Sequence, residues 1–540
     1  MTPKLPLQCA GEANPVRSRI RFVWPAPGLP ALVQDEESIR AIVAQEDPDL
    51  EVVRAWAERL ALRGVDERIP IPLSVEAVEP WDSAAADPPI SGFATLSEAR
   101  GLSFVRVSLR AGQRLSPAAP RRVKLYDVLL DGQVVRPRSV AAFVPSGGDL
   151  RLAFAADLHV ARAWDTIADA VARYAPDLAP GFLHPNRLLE KFIGEVNLLA
   201  AKGELDLVVL GGDLVDHVYN RPRSQAPSTW DDSNLKLLQD LLARLQVPTI
   251  TIPGNHDYRL YPGRPQICDT GALRIPASRT KALLQAAGLW SRRRLHLSDL
   301  DALRAFENSG RSDLKHYLSE IAPATDFSLS FQGVRLMFVA TGRDITQRWR
   351  QVEFARFGLF LRSLRHSLVC GDSEGLSDAQ VTQIASWVQA PGGAALFSHA
   401  PLLRVTHLAE IGLRVGCVDP RAKDNPASRI AFELRLERAG VHGGVCFRNP
   451  APLLRALAAA PGPVVMFSGH VHQATAVQLD RSSLVLQTAH PVPPTDPDRT
   501  VTLLTAPSLG QVSDDRQHPP GYFIAHFKDG AMVSLDRRTL

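Results

Sequence analysis

Five short clusters in this sequence carry the side chains that metal-assisted hydrolysis requires: Asp157 and His159, Asp213, Asn255 with His256, His399, and His470 with His472. They amount to two carboxylates, one amide and five imidazoles, with no thiolate among them. Mixed oxygen and nitrogen donors of this kind suit Mn, Fe or Zn better than Ca or an iron–sulfur cluster. The neutral His and Asn donors matter, because a cage built of carboxylates alone would cancel the charge of the ions. Two divalent ions held by two aspartates stay net positive, which attracts phosphate and acidifies a bound water toward hydroxide near neutral pH.

Each cluster follows a short, mostly apolar run, at residues 152–156, 205–210, 249–252, 394–397 and 464–467. Such runs are expected for strands covered on both faces, and α/β sheets place their ligand sites just past the C-terminal ends of such strands. One convergent site follows. The patterns at 186–201 and 235–245 predict helices crossing between strands, and 327–331 with 334–340 predict a strand pair around Gln332-Gly333. After His472 the pattern returns to β-type runs at 475–479, 483–487, 501–505 and 522–527. Before about residue 148 the runs are also β-type, at 20–24, 104–109, 123–130 and 133–135. Asp131-Gly132 between the last two supplies the positive φ angles of a tight hairpin. An amphipathic stretch covers 50–62. The expected organisation is a β-rich, sandwich-like N-terminal domain at 1–147, a linker at Pro145-Ser146-Gly147-Gly148, and a catalytic domain at 148–540 with insertions near 258–325, 343–375 and 402–446.

The blocks D-x-H, G-D, G-N-H-D/E, a lone H and G-H-x-H occur in order as Asp157-Leu158-His159, Gly212-Asp213, Gly254-Asn255-His256-Asp257, His399 and Gly469-His470-Val471-His472. In this the chain resembles the calcineurin-like metallophosphoesterase superfamily over about residues 150–530, with Thr505 to Gly510 also typical of C-terminal segments in some members. The resemblance implies an α/β fold of two mixed β-sheets flanked by helices, a four-layer sandwich with two metals at the strand ends. It implies that Asp157, His159 and His472 hold one metal, that Asn255, His399 and His470 hold the other, and that Asp213 bridges both. It also implies that His256 protonates the leaving oxygen or steadies the phosphoryl group, with Asp216 orienting it. Protein Ser/Thr phosphatases continue the G-D block with Arg-Gly; here His217-Val218 follows, so that subclass is disfavoured and His217 becomes a candidate substrate contact.

The expected activity is binuclear hydrolysis of a small phosphomonoester or phosphodiester by a metal-bridging hydroxide, with Mn weakly preferred among Mn, Fe and Zn. A nuclease acting on DNA or RNA is the alternative, suggested by Arg292-Arg293-Arg294 and the arginines between Arg343 and Arg365; a non-catalytic metal-binding scaffold is weaker, because no block is missing. Each block alone would be read as a turn or helix cap, and Asp257 as the cap of the following turn; five in order at five strand ends argue otherwise. Composition agrees with an enzyme. The 540 residues are 45% apolar and 22% charged, which excludes a disordered or fibrous chain, and a net charge of +4 lacks the basic excess of a nucleic-acid coat. Five scattered cysteines form no C-x-x-C pair, so neither a disulfide framework nor a thiolate zinc site is expected. No signal-peptide pattern and no run of about 18 apolar residues occurs, so the expected location is cytoplasmic, with no membrane partner.

Overall fold

The computed structural model describes the chain outside residues 1–19, 35–37, 47, 82–89, 91, 178, 220–228, 259–313, 343–375, 403, 406–412, 415–440, 443–450, 483–484, 489–499 and 511–518. All five cysteines, the arginines at 292–294 and 343–365, and most of the three expected insertions lie outside the described residues.

Toward the N-terminus, β1 (Arg21–Trp24), β2 (Ala31–Gln34), β3 (Ser38–Glu46), β4 (Leu60–Gly64), β5 (Ile71–Pro80), β6 (Leu102–Ala111), β7 (Val123–Leu130) and β8 (Gln133–Phe143) form a sheet in the order β1-β3-β6-β5-β4-β7-β8-β2. Where a sandwich-like region is expected, β4 pairs with both β5 and β7 and links all eight strands in one ladder. The β7–β8 turn has φ 51° at Asp131 and 77° at Gly132, the two positive angles that a tight hairpin needs. The amphipathic stretch at 50–62 divides in two. Its first part is helix α1 (Leu50–Ala57), capped by the Asp49 carboxylate accepting from Glu51 N at 2.9 Å. The remainder enters β4, where Leu60 and Leu62 are buried with the period of two proper to a strand.

The rest of the chain runs through β9 (Asp149–Ala155), α2 (Ala163–Tyr174), α3 (Pro185–Ala201), β10 (Leu207–Leu210), α4 (Asn234–Leu242), β11 (Thr249–Thr251), β12 (Phe327–Phe331), β13 (Val334–Val339), α5 (Asp378–Val388) and β14 (Ala394–Ser398). It continues through three two-residue strands, β15 (Arg404–Val405), β16 (Leu413–Arg414) and β17 (Val441–His442), and then α6 (Ala451–Ala458), β18 (Val464–Ser468), β19 (Thr475–Asp480), β20 (Val485–Thr488), β21 (Thr500–Thr505), β22 (Gly521–Lys528) and β23 (Ala531–Thr539). Two mixed sheets result, β11-β10-β9-β22-β23 and β12-β13-β14-β18-β21-β19-β20-β16. Their central strands are parallel, and their apolar runs are buried throughout, as in Leu207–Leu210 and Val464–Ser468. Helix α3 presents Leu189, Phe192, Ile193, Val196 and Ala200 to the core at three- and four-residue spacing. Among the described residues no helix is long and apolar enough to cross a membrane.

Phenylalanines set the level of the strand ends. Phe327, Phe338, Phe397 and Phe467 are register partners across β12, β13, β14 and β18, and their rings stack at 4.8, 4.9 and 5.2 Å between centroids. Phe154 of β9 reaches from the other sheet to Phe397 at 5.8 Å and Phe467 at 5.3 Å, so the two sheets meet at these rings. His399 and His470 follow two and three residues after Phe397 and Phe467, which places them at one height above the stack. Phe397→Ala, at a fully buried position, should lower stability by about 3–5 kcal/mol through the cavity left between the sheets. Urea unfolding of the variant against wild type measures this; a loss under about 1 kcal/mol would mean that the rings do not carry the junction.

Candidate metal centre

The clusters sit on tight turns immediately past β9, β10, β11, β14 and β18. Five of their residues adopt left-handed backbone angles: Asp157 (φ 58°), His159 (50°), Asp213 (49°), His470 (73°) and His472 (56°). Such angles disfavour side-chain-bearing residues and persist only where surroundings over-determine them, as at ligand-binding turns. Here the turns hold one another. Asp157 N donates to Gly212 O at 2.9 Å, His159 N to Asp213 O at 2.9 Å, and His470 N to the Asp157 carboxylate at 2.8 Å. Ser508 Oγ donates to Asp157 O at 2.9 Å, tying the segment after β21 to the same turn. Gly254 lies so close to the G-D turn that a Cβ there would collide with Asp213 N and Oδ1 and stand 2.9 Å from His399 Cδ2.

Two groups of donors face each other across Asp213. In one, the donor atoms of Asp157, His159 and His472 lie within 4.8 Å of one another, with His472 Nε2 at 3.4 Å from both Asp157 Oδ1 and His159 Nε2. In the other, the donors of Asp213, His399 and His470 lie within the same limit, and His399 Nε2 is 3.2 Å from Asp213 Oδ1 and 3.0 Å from Asn255 Oδ1. Asp213 Oδ2 turns toward the first group, 3.9 Å from His159 Nε2. The His399 ring is fixed by Nδ1–H donating to Gly211 O at 2.9 Å, which directs Nε2 inward.

These residues fit divalent cations. Ligand atoms bound at about 2.1 Å to one ion stand roughly 3.0–3.4 Å apart, the spacing seen in both groups. In the first group two imidazole nitrogens and a carboxylate oxygen point at a common centre, a meeting of lone pairs that needs a proton or a cation between them. Charge agrees. Burial disfavours ionisation of Asp213, yet the charges of His399 and His256 outweigh it and hold its carboxyl well below the usual carboxylate range. Burial opposes a proton on His399 as well, but Asp213 pushes its pKa up to about 9. A buried carboxylate that stays ionised and draws a proton onto the neighbouring imidazole would hold a metal ion in the proton's place.

A third group, His159, Asp216 and His256, is closed by hydrogen bonding. His256 Nδ1 donates to Asp216 O at 2.9 Å and lies 3.2 Å from Asp216 Oδ1, leaving Nε2 3.9 Å from Asp213 Oδ2. Asp216 is fully buried; the charge of His217 and hydrogen bonds from His159, His217 and His256 overcome the burial and keep its carboxyl well below the usual range. His217, expected at the substrate, is 1% exposed with Nδ1 3.1 Å from Asp216 Oδ2. The centre opens along His470 to Gln473, which are half-buried, whereas Asp157 and His159 are fully buried.

Asp257, expected to cap the following turn, bonds to earlier turns instead. Its carboxylate accepts from Gly254 N at 2.7 Å and also from Leu214 N at 3.2 Å and Val215 N at 3.0 Å, so it clamps the Asn255 turn to the Asp213 turn. Burial, with the Asp213 charge added, pushes its pKa up to about 7. Asn186 and Asn234, the latter first in α4, were not expected at the site. Asn186 pairs both ways with Ala161, and Asn234 accepts from Arg162 N and donates to His217 O. Nothing in sequence order distinguishes them; their only local signal is a polar residue at a helix start facing inward.

Residues 150–334 match the family model described as calcineurin-like phosphoesterase, a span that contains the first three blocks and stops before His399, His470 and His472. No curated protein matches the chain. Among solved structures, a purple acid phosphatase from yellow lupin (Lupinus luteus) is similar at 12% identity, covering 97% of this chain and 72% of its own, with a TM-score of 0.39. PhoD is similar at 10% identity, covering 96% of this chain and 88% of its own, with a TM-score of 0.37. The family match falls on the strands and turns that carry Asp157, His159, Asp213, Asn255 and His256, so residues 150–334 form a domain similar to the calcineurin-like phosphoesterases, metal-dependent hydrolases of phosphoesters.

Proposed function

We propose that the chain hydrolyses a small phosphomonoester or phosphodiester at a two-metal centre in which Asp157, His159 and His472 hold one ion, Asn255, His399 and His470 hold the other, and Asp213 is shared. The observation that carries the reading is the split of the Asp213 carboxylate, Oδ1 toward His399 and Oδ2 toward His159. When bound, divalent ions of the Mn, Fe or Zn type supply positive charge to the phosphoryl oxygens and an acidified water as the nucleophile. The protein's own part is orientation and proton supply. His256, its Nδ1–H on Asp216, directs Nε2 into the centre. As the imidazolium it gives its Nε2 proton to the departing oxygen and is left neutral, still held by Asp216. Negative charge from Asp216 at one ring nitrogen and Asp213 near the other suits a proton donor. His217 acts on the substrate or through Asp216, and His217→Ala should spare the metals in either case.

Because Gly254 leaves no room for a Cβ beside Asp213, Gly254→Ala should displace the shared carboxylate and lower turnover by ~10–100-fold, the scale of a misplacement near 1 Å. Steady-state kinetics beside metal analysis measure it, and unchanged values would show that the two turns are not coupled. The substrate reading is tested by screening Mn-loaded protein against alkyl and aryl monoesters, diesters, and single- and double-stranded nucleic acid. Fastest turnover on a small ester is expected; degradation of nucleic acid with little small-ester turnover would replace the reading with a nuclease.

A further inference from the structure

β11 is an edge strand, and an edge strand presents amide and carbonyl groups that a protein must cover. In its parallel pairing with β10, Ile252 N donates to Leu210 O at 3.1 Å, so the Thr251 amide points the other way. That amide donates to Gly28 O at 2.9 Å, from the loop between β1 and β2 of the N-terminal sheet. Thr251 O accepts from Tyr317 Oη at 3.0 Å, and Gly28 N donates to Ile321 O at 2.8 Å. Gly28, Thr251 and the π-helical turn Tyr317–Ile321 thus form a closed ring of two main-chain hydrogen bonds and one from the Tyr317 hydroxyl. The approach is close enough that a Cβ on Gly28 would collide with Thr251 Oγ1 and lie 3.0 Å from Ile321 Cγ2.

The turn is itself gripped from the N-terminal sheet. Buried Arg136 of β8 pairs with Glu320 at 3.1 Å, donates to Ser319 O at 3.1 Å and to Phe22 O, and Phe93 N donates to Pro323 O at 2.8 Å. Three residues beyond Thr251, the chain reaches Gly254-Asn255-His256. We infer that the N-terminal sheet is a built-in brace of the catalytic centre, with Gly28 a positioning residue that fixes β11 and, through it, Asn255 and His256. The inference rests on the roles proposed above for those two residues.

The experiment compares Gly28→Ala, the double variant Gly28→Ala/Thr251→Ala, and Val107→Ala, a control that opens a cavity at a buried position of β6, a strand of the N-terminal sheet not paired with β11. All are assayed with Mn and an aryl phosphoester at a temperature where circular dichroism shows every variant folded. Gly28→Ala should lower kcat by ~10–100-fold and weaken Mn binding. Removing the Thr251 hydroxyl, the atom the new methyl strikes, should restore most of both. Val107→Ala should keep wild-type kcat despite a lowered Tm. Wild-type kcat and Mn affinity in Gly28→Ala, or an equal kcat loss in Val107→Ala, would overturn the brace. Should Gly28→Ala not fold, amide hydrogen exchange in the wild type decides: protection of Thr251 matching that of Ile250 supports the brace, and rapid exchange at Thr251 refutes it. Lack of Mn binding and turnover in the wild type would instead defeat the reading of the centre itself.

Discussion

Asp213→Asn should empty the centre of much of its metal and reduce turnover at least ~100-fold, the upper end of losses seen when metal sites are perturbed. The substitution keeps the shape and can still accept the His256 amide at 2.7 Å, so the turn should survive. What it removes is the charge that faces both donor groups, including the charge that holds a proton on His399 up to about 9. Metal content and kcat of the purified variant are the measurements. Retention of both ions with a near-normal rate would show that Asp213 is not shared between them.

His256→Ala should leave both metals in place yet slow substrates with poor alkoxide leaving groups by roughly 10²–10⁴-fold, the usual share of general acid catalysis. The ring's contacts explain the selectivity: Nδ1 is committed to Asp216, and Nε2 faces the centre without belonging to either donor group. Activated aryl esters, whose leaving oxygen needs little protonation, should lose far less. Assays of wild type and variant on both ester classes, with metal measured in parallel, separate the roles. Equal losses on both classes at full occupancy would assign His256 to charge stabilisation instead.

The centre was legible in sequence because its construction is local at each step. An apolar run such as 464–467 reads as a buried strand, and the polar residues that follow it have one place to be, at the strand's C-terminal end. The Asp131-Gly132 hairpin was legible for the same reason, since two adjacent residues supply both unusual φ angles. Residues 50–62 were harder, because Leu60 and Leu62 continue a helical pattern while satisfying the alternation of a strand. The order of the N-terminal sheet could not be read, since β2 pairs with β8 across more than a hundred intervening residues and no short motif encodes that partner. Asp257 shows the same limit within the site. Its bond to Gly254 is local but reaches back rather than to the following turn, and its bonds to Leu214 and Val215 exist only once two turns meet in space.

The most direct test of a two-metal phosphoester hydrolase is to strip the full-length protein with chelator, verify by elemental analysis that it is metal-free, and titrate Mn back while following hydrolysis of an aryl phosphoester. Turnover should be absent at the start and rise to a plateau as about two ions per chain are bound, the number the family's binuclear centre implies. Full turnover in verified metal-free protein, or a plateau reached with no ion bound, would contradict the account.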